Sequence, residues 1–234
     1  MKKAIRNLLL LILLAAAVYG GLNAYEYWQQ NRIRVLLDVP LASQHPDYPT
    51  GCESIALYML LRYYTTEVTP AQIVEALPKG PVPYRKNGRD YGANPEREFV
   101  GDPRDPHSYG VYNQPICDTA NQFRAGAQTK TGATVDEIKQ ILDSGAPVIL
   151  WYTTQDAVGV EAGGTWLDEQ TGEEITWLKH EHAVVACGYK LNDLIINDPN
   201  TGTRREIRFG TVMNAFDRLG GRIVWYPVTS SESS

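Results

Sequence analysis

Near its start the chain has an apolar run without a polar face, preceded by a short basic stretch. Residues 1–7 are basic (MKKAIRN), and residues 8–19 read LLLLILLAAAVY. A basic stretch followed by such a run is typical of a secretory segment. The run is shorter than the ~20 apolar residues of a full membrane span. Residues 1–24 are therefore predicted to be a signal peptide or a signal-anchor, followed by a connector at 25–34.

The positive flank predicts that the N-terminus stays inside the cell and the rest is exported. Cleavage near residues 15–17 or after Ala24 would release the domain, whereas an uncleaved segment would anchor it at the cell surface. No cysteine stands directly after the apolar run, so a lipoprotein anchor is excluded. A buried helix of the fold is disfavoured because the run lacks an amphipathic period.

The pattern of residues 35–228 predicts one domain in which helices come first and strands later. Thr69-Pro70 marks a helix start, and Thr134 with Glu137 forms a capping box. Predicted helices lie at 51–64, 70–77, 116–123, 134–143 and 211–218, and predicted strands at 35–41, 147–152, 182–189, 194–197 and 222–227. This order predicts an α+β class with an antiparallel sheet.

Two polar segments, 78–116 and 155–178, show little periodicity. Loops of this length inside a compact domain are usually functional or disordered. The aromatic residues of the first segment argue against disorder, so we expect it to be ordered, to pack on the domain and to shape a cleft. Residues 229–234 (TSSESS) are expected to be a disordered tail.

Composition and charge argue against several classes of protein. The 234 residues are 43% hydrophobic and 21% charged, enough for a folded core. The net charge is −5, and because Lys2, Lys3 and Arg6 lie in the N-terminal segment, the rest carries about −8. An acidic body argues against a nucleic-acid partner. Three cysteines cannot form a disulfide framework. At least one thiol is free, although a Cys117–Cys187 disulfide is possible in an exported protein.

Cys52 stands where a polar loop enters a buried helix. The N–H groups and positive dipole end of a helix favour a thiolate, the nucleophilic form of cysteine. Gly51 allows a tight turn that leaves the sulfur accessible. The alternative is a small buried hydrophobic residue, as most free cysteines are. The position favours a catalytic nucleophile.

A thiol nucleophile needs a base and a group that orients it. His182 starts one predicted strand and Asp198 ends the next, so a hairpin would bring them together. The carboxylate would then fix the imidazole tautomer. The backbone N–H of Cys52 could stabilise an oxyanion, and Gln44 in the preceding loop could add its side-chain amide.

His180 and His182 would share one face of a strand, and with a cysteine they could bind zinc. No further ligand stands at metal spacing, so no metal and no cofactor is expected.

Several short strings together resemble the secreted C39-like peptidase domains. They are VPLASQ (39–44), PTGCES (49–54), NPEREFVG (94–101), GAPVIL (145–150), HAVVACGY (182–189) and INDP (196–199). These domains are similar to the bacteriocin-processing cysteine peptidase domains of bacterial exporters. The resemblance implies a papain-like fold, with Cys52 as the nucleophile, His182 as general base and acid, Asp198 as the orienting residue and Gln44 as an oxyanion-hole donor.

Two departures limit what the resemblance implies. The exporter domains usually carry Asp-Cys-Gly at the nucleophile, whereas this chain has Gly51-Cys52-Glu53. The chain also has no GxxxxGK[ST] ATPase motif, so cleavage of double-glycine leader peptides is not carried over.

The sequence therefore predicts an exported bacterial cysteine peptidase that acts, as a monomer, on peptides or cell-wall peptides. Amide or isopeptide hydrolysis, or acyl transfer on cell-wall peptides, would use the same triad. A catalytically inactive binding domain at the cell surface is the alternative from another class.

Overall fold

The computed structural model of the protein describes residues 2–154 and 162–228. The predicted tail at 229–234 and the start of the second polar segment lie outside the described residues. The helices are α1 (Lys2–Asn31), α2 (Cys52–Tyr63), α3 (Pro70–Ala76), α4 (Asn113–Phe123), α5 (Val135–Asp143) and α6 (Phe209–Arg218). The predicted capping boxes at Thr69 and Thr134 are both present.

The strands fall into a large central sheet and two smaller ones. The central sheet contains β1 (Val35–Leu36), β6 (Gln128–Lys130), β7 (Val148–Thr153), β10 (Glu181–Tyr189), β11 (Asp193–Asp198), β12 (Thr203–Arg208) and β13 (Ile223–Trp225). The others are β2 (Lys79–Gly80), β3 (Tyr84–Lys86), β4 (Arg89–Gly92), β5 (Phe99–Val100), β8 (Ala162–Asp168) and β9 (Glu174–Leu178).

The central sheet is antiparallel throughout, in the order β12-β11-β10-β7-β13-β6, with β1 beside β10. Helix α2 precedes it and packs against it, which agrees with the predicted α+β class. Successive side chains of a strand point to opposite faces of a sheet. Accordingly, Ala183 and Val185 of β10 face the α2 side, whereas Val184 and Ala186 join the core beneath α5 and α6.

Helix α2 is buried on almost every side, as its continuous apolar sequence predicts. It packs against β10 and β7 of the central sheet and against α3 and α4. Its N-terminus begins directly at Cys52, after Gly51, at the end of the sheet where β10 starts. The packing therefore fixes Cys52 against the first residues of β10.

The two polar segments are more regular than their sequences suggest. The first supplies β2 to β5 and the second supplies the β8–β9 hairpin, and the two segments join where β4 pairs with β8 in parallel. Asp168 at the end of β8 fixes this junction because Arg97, Asn94 and Thr171 all donate hydrogen bonds to its carboxylate.

Several predicted boundaries are wrong. The first strand was expected at 35–41, but only Val35–Leu36 pairs, since the chain then leaves the sheet edge for the Gln44 loop. Strands β6 and β12 were missed because their exposed, charged or polar sequences lack an apolar run. Helix α4 starts at Asn113, three residues before the predicted start.

Helix α1 spans the predicted signal segment and most of the predicted connector. The segment Ile5–Asn31 is long and apolar enough to cross a membrane by length and composition, and its most apolar stretch of 18 residues has a mean hydropathy of 2.0. The helix of 30 residues is about 45 Å long. Its described side chains are exposed, with Leu13 at 66%, except for the half-buried Gln29, so the alternative of a buried helix of the fold is wrong.

Candidate active site

Cys52 occupies the first turn of α2, with Gly51 as the residue that caps the helix. An added Cβ at Gly51 would lie 2.8 Å from the Cβ of Tyr48, so only glycine fits this tight turn. The N–H groups of the first helical turn have no partner within the helix. The backbone N–H of Cys52 is therefore a candidate oxyanion donor, as the sequence predicts.

The sulfur of Cys52 lies between a carboxyl group and the backbone of β10. Its thiol donates to Glu53 Oε2 at 3.3 Å, and the N–H of Ala183 donates to the sulfur at 3.5 Å. Ala183 directly follows His182, so the strand that carries the predicted base also contacts the predicted nucleophile. Among the described residues, the hydrogen bonds of the sulfur go to these two partners and not to the His182 ring.

The surroundings of Cys52 oppose the thiolate that its position at a helix start favours. Burial raises the pKa of the thiol well above its usual value, and the negative charges of Glu53 and Glu181 raise it further. The hydrogen bond from Ala183 acts in the opposite direction but is outweighed. Cys52 is thus a neutral thiol at rest, since burial beside two carboxyls overcomes the helix dipole.

His182 and Asp198 meet as the predicted hairpin requires. Both side chains point to the α5–α6 face of the sheet, and His182 Nε2 lies 2.8 Å from Asp198 Oδ1. They are diagonal neighbours on β10 and β11, a spacing that long side chains bridge. Because Asp198 engages Nε2, the other ring nitrogen, Nδ1, is left for a reacting group. His182 and Asp198 are 5% and 1% exposed.

Arg205 on β12 completes the Asp198 environment. Its guanidinium lies 2.8 Å from Asp198 Oδ2 and donates to the hydroxyl of Tyr152 at 2.6 Å. Burial alone would raise the pKa of Asp198, but His182 and Arg205 outweigh burial and hold it below its usual value. Asp198 is therefore ionised and can orient an imidazole or stabilise an imidazolium. Neither Arg205 nor Tyr152 was predicted from the sequence.

Gln44 lies in a loop that is tied to the end of β11. Its backbone N–H donates to Pro199 O at 2.8 Å, next to Asp198. Its side-chain Nε2 donates to Pro49 O at 2.8 Å, three residues before Cys52. The side chain is 4% exposed, and its Oε1 has no partner within the described residues. Because an amide nitrogen carries two hydrogens, one remains to donate to an oxyanion.

The zinc site suggested by His180 and His182 does not form. His180 lies in the turn before β10 with a φ of 61° and is exposed, so it does not share a strand face with the buried His182. The described residues that bring metal-ligand atoms together are Cys52, Glu53 and Glu181. A hydrogen bond already joins the first two of these, and neither histidine belongs to the group.

Glu53 and Glu181 are two further site residues that sequence reasoning missed. Burial raises the pKa of Glu53 to about 7, although hydrogen bonds from Val111 N–H and the Cys52 thiol oppose the shift. Burial and the charge of Glu53 raise the pKa of Glu181 well above its usual value. The signal for Glu53 was available, since a charged residue in the first turn of an apolar helix next to Cys52 needs an explanation.

The two remaining cysteines are not paired. Cys117 and Cys187 are both free and buried. The Cys117 thiol donates to Ala127 O at 3.4 Å and the Cys187 thiol to Ile195 O at 3.5 Å. The disulfide that the sequence left open is therefore absent, and both residues pack as small core side chains.

Comparison with known proteins gives the family. The model of the Peptidase_C39-like family matches residues 36–224, which is most of the chain and the whole of the central sheet apart from its two terminal residues Val35 and Trp225. The chain belongs to the Peptidase_C39-like family. The Bacillus subtilis (strain 168) protein YvpB, which is uncharacterized, is 30% identical over 193 residues, or 80% of this chain and 74% of YvpB.

A solved structure supports the fold. A Bacillus anthracis protein solved as a candidate C39-like peptidase aligns with 86% of this chain and all of its own, with a TM-score of 0.74 and 24% identity. This likeness confirms the papain-like α+β fold. A double glycine motif protease from an AMS/PCAT transporter, in complex with its leader peptide, aligns with a TM-score of 0.48 and 18% identity over 83% of this chain. That likeness is too distant to indicate what this chain acts on.

Proposed function

We propose that the chain is an exported cysteine peptidase that hydrolyses peptide or cell-wall peptide bonds through Cys52, His182 and Asp198. The observation that carries the proposal is the 2.8 Å bond between His182 and Asp198 on the strand whose next amide contacts the Cys52 sulfur. Membership of the Peptidase_C39-like family agrees with this chemistry.

The first half of the reaction forms a thioester. Because Cys52 is a neutral thiol at rest, His182 removes its proton through Nδ1 as the sulfur attacks the peptide carbonyl. The carbonyl oxygen becomes an oxyanion, which the backbone N–H of Cys52 and the Gln44 amide stabilise. His182 then gives the proton to the leaving amine, and the C–N bond breaks.

The second half releases the product. His182 removes a proton from water, the resulting hydroxide attacks the thioester carbonyl, and the Cys52 sulfur leaves and is reprotonated. Asp198 stays ionised throughout and holds the imidazole in the required tautomer. An amine in place of water would give acyl transfer, so the same residues serve amide or isopeptide cleavage and transfer.

The N-terminal segment gives the proposed location. The apolar helix α1 and its basic flank support an anchor or signal segment with the catalytic domain outside the cell. The domain would then meet peptides at the cell surface or in the cell wall, and no cofactor is needed for the reaction.

Turnover of peptide substrates tests the proposal. The full chain in detergent is incubated with peptide libraries and cell-wall fragments, and new ends are identified by mass spectrometry. We expect cleavage by the wild-type chain and by the C117A control, and none by C52A. Equal cleavage by the C52A variant would exclude Cys52 as the nucleophile, and binding without cleavage in all three would favour an inactive binding domain.

A further inference from the structure

Two buried carboxyl groups lie directly behind the nucleophile, and the proposed reaction does not use them. One oxygen of Glu53, one oxygen of Glu181 and the Cys52 sulfur all lie within 4.8 Å of one another. Like charges this close in a buried site do not both ionise, so the two carboxyls carry a proton at neutral pH.

Hydrogen bonding indicates which carboxyl is ionised. Both oxygens of Glu53 accept a hydrogen bond, Oε1 from Val111 N–H at 2.8 Å and Oε2 from the Cys52 thiol at 3.3 Å. In contrast, Glu181 Oε1 is buried and has no partner among the described residues. Donors stabilise the charged form of a carboxyl, so Glu53 is the ionised member and Glu181 the protonated one.

The surroundings are shaped to hold both carboxyls. A Cβ at Gly110 would overlap Glu53 Oε1 and lie 3.1 Å from Glu181 Oε2, so a side chain at this position would displace the pair. Among the described residues, the other titratable or charged groups that act on the cluster are Arg222, Tyr112 and Tyr152. Arg222 acts to lower the pKa of Glu181, but burial and the charge of Glu53 outweigh it, and the guanidinium is shared with Glu96 and with the side-chain oxygen of Asn113.

We propose that Glu53 and Glu181 are positioning residues that carry one proton between them and hold resting Cys52 as a neutral thiol bonded to Glu53. The inference rests on the proposed role of Cys52 as the nucleophile. Attack then requires the thiol to exchange its acceptor from Glu53 to His182, so the resting enzyme is protected from reaction with adventitious electrophiles.

The pH dependence of Cys52 alkylation tests this role. The full chain in detergent is treated with iodoacetamide over a range of pH, and modification of Cys52 is followed by mass spectrometry. The variants are E53Q, E181Q and E53Q/E181Q. The control is E98Q, because burial also raises the pKa of Glu98 but its charge does not act on Cys52.

The expected order follows from the charges that remain. The double variant has no carboxylate near the sulfur, so its alkylation midpoint moves to lower pH and its rate near neutral pH rises about tenfold. E53Q gives a smaller increase, because Glu181 then ionises more readily. E181Q is no faster than the wild type, since Glu53 keeps its charge and its bond to the thiol. E98Q behaves as the wild type.

A merely structural role would lower stability without moving the alkylation midpoint. Coincident midpoints in the wild type and the double variant, or E181Q as fast as the double variant, would overturn the proposal. Should the double variant not fold, infrared absorption of the wild type and of E98Q at about pH 6 decides. A protonated carboxyl band is expected in both, and its absence contradicts the proposal.

This experiment separates the two proposals. Iodoacetamide reports the protonation of Cys52 whether or not the chain cleaves peptides. A shifted midpoint in a chain that hydrolyses nothing would support the carboxyl pair and reject the peptidase. Cleavage by Cys52 with an unshifted midpoint would support the peptidase and reject the carboxyl pair.

Discussion

At the residue scale, the site depends on which groups can ionise where they are buried. Asp198 keeps its charge because His182 and Arg205 surround it, whereas Glu53 and Glu181 lie close together with less compensation. Cys52 is buried next to Glu53 and Glu181 and is therefore protonated at rest. The proton that His182 must remove is thus held by the thiol until attack.

Substitution of Asp198 tests its role in orienting the imidazole. In D198N the amide keeps the size of the side chain but can donate to His182, which favours the wrong tautomer. We expect kcat to fall at least about a hundredfold. The control is D193N at the other end of β11, where the carboxylate faces Arg208 at 3.9 Å, and it should keep wild-type turnover. Equal kcat values for the two variants would remove Asp198 from the mechanism.

The sequence allowed Cys52, His182, Asp198 and Gln44 to be proposed, because a helix start and a hairpin place side chains at predictable positions. Arg205 and Glu181 were not predictable in the same way. Arg205 reaches Asp198 only because β12 pairs with β11, and β12 has no apolar pattern that reveals it as a strand. Glu181 matters only through its distance to Glu53, which sequence separation does not give.

At the element scale, the two polar segments act as one support for α2. Their strands form a small sheet through the β4–β8 pair, and its aromatic residues extend to the site, where Trp177 stacks on Tyr112 at 5.5 Å. The same region supplies Val111 N–H to Glu53. The first segment was predicted to be ordered and irregular. The order is present, but pairing across 76 residues could not be read from local patterns.

Asp168 is the residue whose loss should weaken this support most. Its side chain is fully buried and accepts from Arg97, Asn94 and Thr171. D168N removes the charge that these donors stabilise, so we expect the free energy of unfolding to fall by about 2 kcal/mol. D90N is the control in the same small sheet, since its ion pair with Arg85 is exposed. Equal midpoints of the two variants in urea would contradict this prediction.

At the scale of the whole molecule, an exposed apolar helix is joined to an acidic folded domain. The domain boundary that matters structurally is at Asn31, because α1 continues through the expected connector before β1 begins. Helix α1 has no packing partner among the described residues and is long and apolar enough to cross a membrane by length and composition. The domain assignments 1–24 and 25–34 remain predictions about processing.

Membrane association of α1 can be tested by charge. Arginine at both Leu11 and Leu14, near the middle of the apolar run, should cost about 3 kcal/mol each on insertion. We expect the wild-type chain in the membrane pellet and a large soluble fraction of L11R/L14R. The control Q29R/Q30R places the same charges at the polar end of the helix and should pellet as the wild type. A wild-type chain found in the soluble fraction with Met1 intact would contradict the prediction.

Global stability should be greatest at mildly acidic pH. The pKa values of Asp168 and Asp198 are lowered by folding, so their contribution is present above their unfolded values near 4 and is lost as the pH falls through the folded values. The pKa values of Glu53 and Glu181 are raised, so the folded state binds more protons and stability declines as pH rises from about 4.5 through 7. Urea midpoints across this pH range measure both the loss of stability at low pH and the decline as the pH rises. In E53Q/E181Q the decline with rising pH should be smaller. An equally steep decline of the urea midpoint with rising pH in the double variant would exclude these two carboxyls as the cause of that decline.

The central claim is that Cys52 is a nucleophile activated by His182. The most direct measurement is labelling of the full chain with a peptidyl electrophile, with the modified residue located by mass spectrometry. We expect labelling of Cys52 alone, with Cys117 and Cys187 unmodified, and loss of that labelling in H182A. Labelling of Cys52 no faster than an unactivated thiol, and unchanged in H182A, would contradict the account.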